Sequence, residues 1–431
     1  MTTISLTSSD LSTAKPALLD RAKQLAAALL SERSEASGAL VARQLHEVLG
    51  ALDAGDRHGF RRYLATEFQP DRAALRASAE RYLADGTAEA AAALARAADP
   101  PRQELLRRIN MAPGGTGALI AMRSEIAARL RDEPDLKLLD ADLKHLFASW
   151  FNRGFLELRR IDWQTPAAVL EKLIAYEAVH EIKGWDDLRR RLAPDRRCFA
   201  FFHPALPGEP LIFVEVALVR GLATAMPPLL ARQTDDEAAR AQAARADTAI
   251  FYSISNCQDG LRGISFGNFL IKQVVEELQA EFPQLKRFST LSPVPGFRRW
   301  LAQHREEGDA PGAGSLRDIE SDDWCHDPAR SEVLRPALMR LCAIYLTRRP
   351  SIRIDPVAHF HLGNGARLER INWLGNNSPR GMRESFGIMV NYLYDRASIE
   401  DNHKAFLHAT IVRSPDVDAL MQDSLPLPAG E

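Results

Sequence analysis

The chain has 431 residues, 46% of them hydrophobic and 26% charged, with 55 Lys and Arg against 57 Asp and Glu for a net charge of −2. That length suffices for about two or three packed domains, and the balanced charge argues against a general nucleic-acid binder, which needs a basic face to displace counterions. No run of about eighteen apolar residues is present, which excludes a membrane span, and the first ten residues lack the basic start and apolar core of a secretory leader, so the cytosol is the expected compartment.

The first 150 residues read as helix throughout. Leu18, Leu19, Ala22, Leu25, Ala26, Leu29 and Leu30 recur at the three-four spacing of one helical face, and 40–52 repeats it. Further helical runs cover 72–96, 103–109, 118–131 and 136–147, punctuated by Pro70, Pro100-Pro101, Pro113-Gly114-Gly115 and Pro134. After Trp150 the texture changes. The segments 198–202, 211–218 and 249–254 are short, aromatic and β-branched, and read as strands; helices are expected over 166–176, 268–281 and 335–347. The fold class expected is α+β: an all-α bundle over 1–150 followed by a mixed α/β domain over 151–431. The polar stretches 220–247 and 304–330 read as loops, the second either a surface excursion or a lid. Cys198, Cys257, Cys325 and Cys342 have no CxxC spacing and read as free thiols, fitting neither a disulfide scaffold nor a zinc site.

Five segments are candidates for chemistry. In 250–278 a strand runs through a loop with Gly263 and Gly267 onto an amphipathic helix, whose unpaired N–H groups suit a pyrophosphate; many such joints bind nothing. Gly114-Gly115-Thr116-Gly117 also precedes a helix, but it follows a helix and lacks the Lys-Ser/Thr of a phosphate loop, so an interhelical turn is the better reading. In 288–300 a short strand ends in hydroxyl residues and is stopped by Pro293 and Pro295, leaving Ser292 at a strand terminus without a GxSxG elbow; on local sequence alone a cap on a Pro-rich turn is the better reading. In 355–373, His359 and His361 share a face if the segment is a strand. No third metal ligand is near, Cys325-His326 being too isolated, so a general acid or base is the preferred role for one histidine and a structural role the alternative. Finally, Tyr392 and Tyr394, in the strand after Phe386, are expected on opposite faces, one in the core and one reaching a site.

Arg262-x-x-Ser265-x-Gly267 resembles the R/Q-x-x-G-x-G/A loop by which GNAT-type acyltransferases hold the pyrophosphate of coenzyme A, with Ser265 in place of the first glycine. More broadly, Tyr176-Glu-Ala-Val-His180, Pro207-Gly-Glu-Pro-Leu211, Phe251-Tyr-Ser-Ile-Ser255, Gly267-Asn-Phe-Leu-Ile-Lys272, Leu291-Ser-Pro-Val-Pro-Gly-Phe297, Phe360-His-Leu-Gly-Asn-Gly365 and Arg370-Ile-Asn-Trp373 together resemble the malonyl-CoA decarboxylase family. The resemblance implies a helical domain used for homo-oligomerisation, as a dimer or tetramer, and a catalytic domain of the GNAT type. It places the catalytic serine on Ser292 and the catalytic histidine on His361. The malonyl-CoA-binding loop falls on Arg262, Gly263, Ile264, Ser265, Phe266, Gly267 and Asn268, and a site tyrosine on Tyr394. Position 265 can be an acid in this family, and the serine here removes any carboxylate role. No cofactor, metal, nucleic acid or membrane is implied, because a thioester carbonyl can itself take up the charge left by departing CO₂. The alternatives are a GNAT-type acyltransferase with Tyr394 as general acid, and a non-catalytic acyl-CoA-binding protein. The C-terminal Ala429-Gly-Glu431 lacks a peroxisomal Ser-Lys-Leu ending, which keeps the cytosol as the expected compartment.

Overall fold

The computed structural model describes residues 14–177, 179–231, 235–264, 269–306, 319, 322–347 and 355–422. Two compact units emerge. The first takes the chain up to Leu156 together with Phe202–Glu209 and Gln258–Phe266; the second takes Glu157–Phe201, Pro210–Cys257 and Gly267–Glu431.

The first unit is helical, its α-helices spanning Ala14–Ser31, Glu35–Ala51, Ala54–Glu67, Arg72–Asp85, Ala88–Ala98, Pro101–Asn110, Gly115–Ala127 and Lys137–Trp150. Ala22, Leu25, Ala26 and Leu29 are buried along one face of the first helix, as their spacing predicts. The run read as one helix over 72–96 is two. Gly86 turns left-handed at φ 62° to close one helix, and the Thr87 hydroxyl accepts the Ala90 N–H at 3.2 Å to open the next. Gly114 and Gly115 form the interhelical turn: Gly114 has φ 78°, and a Cβ on Gly115 would lie 2.0 Å from the Ile109 carbonyl oxygen.

The second unit is built on one sheet. Its strands, among the described residues, are β1 Glu157–Ile161, β2 Arg196–Phe202, β3 Ile212–Val219, β4 Thr248–Asn256, β5 Arg287–Thr290, β6 Ser292–Pro293, β7 Arg367–Asn372 and β8 Met389–Tyr394, in the order β1-β2-β3-β4-β5-β8-β6 with β7 also on β8. Strands β2 to β4 form an antiparallel meander, and all seven residues of β2 are buried, which explains the apolar run 198–202; Arg196 and Arg197 at the start of the strand are paired with Asp195 and Glu281. A crossover through the helix Phe269–Glu281 makes β5 parallel to β4. That pairing stops at Phe251↔Thr290. Beyond it β4 carries a bulge, since Val216 opposes Phe251 and Glu215 opposes Ser253, which leaves Tyr252 as the extra residue.

The stretch 220–247, read from its polarity as loop, holds the helices Met226–Leu230 and Asp236–Arg245. Asp235 caps the second by accepting the Glu237 and Ala238 N–H groups, and only Ala239 and Ala243 of that helix are buried, so its apolar stripe was too thin to register. Of the stretch 304–330, positions 307–318 and 320–321 lie outside the described residues, and the question of a lid lies there with them. No helix among the described residues is long and apolar enough to cross a membrane.

Candidate active site

Ser292 and His361 reach the same place by different local logic. Strand β5 pairs with β8 up to Ser289↔Leu393, breaks at Thr290 and Leu291, and resumes as β6 with Ser292↔Val390 and Pro293↔Met389. Pro293 offers no N–H and is tolerated because β6 ends the strand order. His361 lies not on a strand but in the last turn of the helix Pro356–Gly363. Asp355 caps this helix, accepting the N–H groups of Val357 (2.9 Å) and Ala358 (3.3 Å), and Pro356 takes the first helical position, where its missing N–H costs nothing. Two residues along a helix turn by about 200°; accordingly His361 is buried and His359 exposed, and the shared face expected of a strand does not exist.

The expectation for Tyr392 and Tyr394 is corrected too. Side chains two apart on a strand point the same way, and both tyrosines of β8 meet His361. The Tyr392 ring stacks on the imidazole at 4.7 Å between centroids and 24° between planes. The Tyr394 hydroxyl lies 2.8 Å from Nδ1. On the other side of the ring, Nε2 lies 3.1 Å from Ser292 Oγ, which donates to Thr290 Oγ1 at 2.9 Å. Ser292, His361 and Tyr394 are 5%, 3% and 5% exposed. Burial drives the His361 pKa down to about 3 and pushes the Tyr394 phenol well up, so both are neutral at neutral pH.

Chemically this is a row of exchangeable protons without charge. A Ser-His-Asp triad stabilises an imidazolium through its carboxylate; here a phenol meets Nδ1 instead. The array is poorly suited to holding a charged histidine and well suited to a neutral one acting as donor.

Asp355 and Thr290 are the residues that local reading overlooked. Besides capping the His361 helix, Asp355 accepts the Gly296 N–H at 3.0 Å and the Tyr345 hydroxyl at 3.3 Å. It thereby ties the turn after Ser292 to the helix bearing His361. The Asp-Pro pair before an apolar run was the available signal. Replacing Asp355 by Ala should destabilise the protein by about 2 kcal/mol through lost cap and orphaned donors, read as a lowered midpoint in urea unfolding.

The loop implied to hold coenzyme A is described as far as Ile264. Ser265, Phe266, Gly267 and Asn268 lie outside the described residues. Arg262 is exposed and paired with Asp259 at 2.9 Å, Gly263 has φ 78° and Ile264 is buried. Arg123, held by Asp140 at 2.9 Å, donates to the carbonyls of Gly260 (2.5 Å) and Arg262 (3.0 Å). The structure brings Ser292, His361 and Tyr394 together in the second unit, whereas Arg262, Gly263 and Ile264 belong to the first. Among the described residues, no group of three or more His, Cys, Asp or Glu could hold a metal ion.

The family profile described as Malonyl-CoA decarboxylase C-terminal domain matches residues 154–427, and that of the N-terminal domain matches 68–151. The chain belongs to the malonyl-CoA decarboxylase family. It is 37% identical to the mitochondrial malonyl-CoA decarboxylase of Anser anser anser over 350 residues, covering 74% of this chain and 68% of that protein. Identity to the mitochondrial protein of Mus musculus is also 37%, over 353 residues, 74% of this chain and 70% of that protein. The crystal structure of malonyl-CoA decarboxylase from Rhodopseudomonas palustris matches with a TM-score of 0.86 at 50% identity, covering 93% of this chain and 99% of that one. That from Cupriavidus metallidurans gives 0.72 at 37% identity, over 95% of this chain and 100% of that one. The family's helical N-terminal part and mixed-sheet C-terminal part are the architecture described above, and members carry carboxy-lyase activity.

Proposed function

We propose that this chain converts malonyl-CoA to acetyl-CoA and CO₂ at the Ser292–His361–Tyr394 array. Loss of CO₂ leaves an electron pair on the carbon next to the thioester, and the thioester carbonyl spreads it as an enolate. The protein then has three tasks: to hold the coenzyme A, to stabilise the enolate and to deliver one proton to carbon. The loop from Arg262 to Asn268 serves the first. Ser292 hydrogen-bonds the malonyl carboxylate or the thioester oxygen, and His361 protonates the carbon. The observation that carries this reading is the buried, neutral imidazole held between two hydroxyls: it supplies hydrogen-bond donors where negative charge develops and offers no charge of its own.

The same reading divides the chain near Trp150, assigns the helical part to homo-oligomerisation as a dimer or tetramer, and places the protein in the cytosol, in fatty acid metabolism. The division near Trp150 is supported by the separate matches of the N-terminal domain profile over 68–151 and the C-terminal domain profile over 154–427. The test is to incubate purified protein with malonyl-CoA alone and follow CO₂ and acetyl-CoA. Stoichiometric release of both is expected. Turnover that waits for an amine acceptor would instead identify an acyltransferase, and binding without turnover an acyl-CoA-binding protein.

A further inference from the structure

We infer that Thr290 is a positioning residue that fixes the direction of every hydrogen bond in the array, and with it the tautomer of His361. The inference rests on the proposed role of the array and deepens it.

The break between β5 and β6 is where Thr290 acts. At the position where the ladder would continue, the Tyr392 N–H goes not to a backbone carbonyl but to Thr290 Oγ1, at 3.1 Å. The Thr290 carbonyl is taken instead by Asn391 Nδ2 at 2.7 Å. Asn391 is fully buried and is itself held by Asn372, whose Nδ2 donates to Asn391 Oδ1 at 2.8 Å. The hydroxyl oxygen of Thr290 is thus fixed in place as an acceptor, and it receives the Ser292 hydroxyl at 2.9 Å. A serine has one hydroxyl proton. With that proton committed to Thr290, Ser292 can only accept at the His361 contact, so Nε2 must carry hydrogen. A neutral imidazole has one N–H, so Nδ1 must accept the Tyr394 hydroxyl. The chain therefore runs from Tyr394 O–H to Nδ1, from Nε2–H to Ser292 Oγ, and from Ser292 O–H to Thr290.

This is the reverse of the direction a serine nucleophile needs, where Nε2 accepts the hydroxyl proton. When a substrate oxygen replaces Thr290 as acceptor for Ser292, the direction is preserved and Nε2–H stays available. In the protonation step the Nε2 proton passes to the carbanion carbon, whose new C–H bond takes the electron pair left by CO₂. As Nε2 gives up its proton, Nδ1 takes the Tyr394 proton; water then reprotonates Nε2 while Nδ1 returns its proton to the Tyr394 oxygen, which restores the starting tautomer with one proton consumed for each CO₂ released.

The test is the ring-nitrogen spectrum of the full chain labelled with ¹⁵N-histidine, with His361 assigned by the signal missing from His361→Gln. At pH 7 the wild type should show the Nε2–H form. In Thr290→Val, which keeps the shape but cannot accept, the Nδ1–H form should appear in the free enzyme and kcat/KM should fall about tenfold, the worth of one directed hydrogen bond, with kcat little changed, because bound substrate takes over as the acceptor for Ser292. Thr290→Ser should restore both. A wild-type Nδ1–H form would overturn the inference, and this measurement stands even if Thr290→Val does not fold. So would a valine variant that retains the wild-type tautomer. Because tautomers are read without turnover, absence of CO₂ release would defeat the proposed function while leaving this inference to its own result.

Discussion

Replacing His361 by glutamine is expected to lower kcat for CO₂ release by about 10²–10⁴-fold, the usual worth of a positioned proton donor. Glutamine retains an N–H but cannot give the proton up to carbon, and it cannot relay one from Tyr394. Ser292→Ala should cost about 10²–10³-fold, as loss of one preorganised donor to developing negative charge does. Neither change removes a group assigned to the coenzyme, so acetyl-CoA binding, followed by calorimetry, should persist in both. A glutamine variant that turns over at near wild-type rate would remove His361 from the proton step. Since burial holds His361 neutral down to about pH 3, kcat/KM should show no inflection from this residue near the ordinary histidine value of 6.5.

The same burial makes the protein sensitive to acid. His361 and His180 both have their pKa lowered from 6.5 to about 3, His361 by burial and His180 by burial with Arg191 and Arg380 nearby. A histidine depressed in the fold binds its proton more readily when unfolded. Its contribution is complete above pH 6.5 and is lost as pH falls from there toward 3. By pH 5 each should have withdrawn about 2 kcal/mol. Urea unfolding of wild type at pH 7 and pH 5, compared with His361→Gln, should show a smaller acid loss in the variant by about that amount. Equal losses in the two proteins would mean that His361 is not held neutral in the fold.

Much of this was legible in the chain itself. Leucine and alanine spacing marked the helices of the first unit, and short aromatic runs marked β2, β3 and β4, because burial on one or both faces leaves a period in the sequence. What escaped is what depends on partners far along the chain. The HxH spacing of His359 and His361 fits a strand as well as a helix, and only the Asp-Pro cap before it marks the helix. Opposite faces for Tyr392 and Tyr394 contradict the period of two that any strand imposes. Thr290 was one hydroxyl among several until the break in the β5–β8 ladder turned it into an acceptor. The helix Asp236–Arg245 buries two alanines, too little apolar surface to be seen.

Strand β8 pairs with β5, β6 and β7, and that has a kinetic meaning. Ser292 meets His361 across 69 residues, and Ser289 meets the Tyr392 carbonyl across 103. Contacts of such sequence separation form only after a large loss of chain entropy. Refolding from denaturant should therefore return helical signal from the first unit early and decarboxylation late. The proton array then serves as a built-in reporter of the completed sheet.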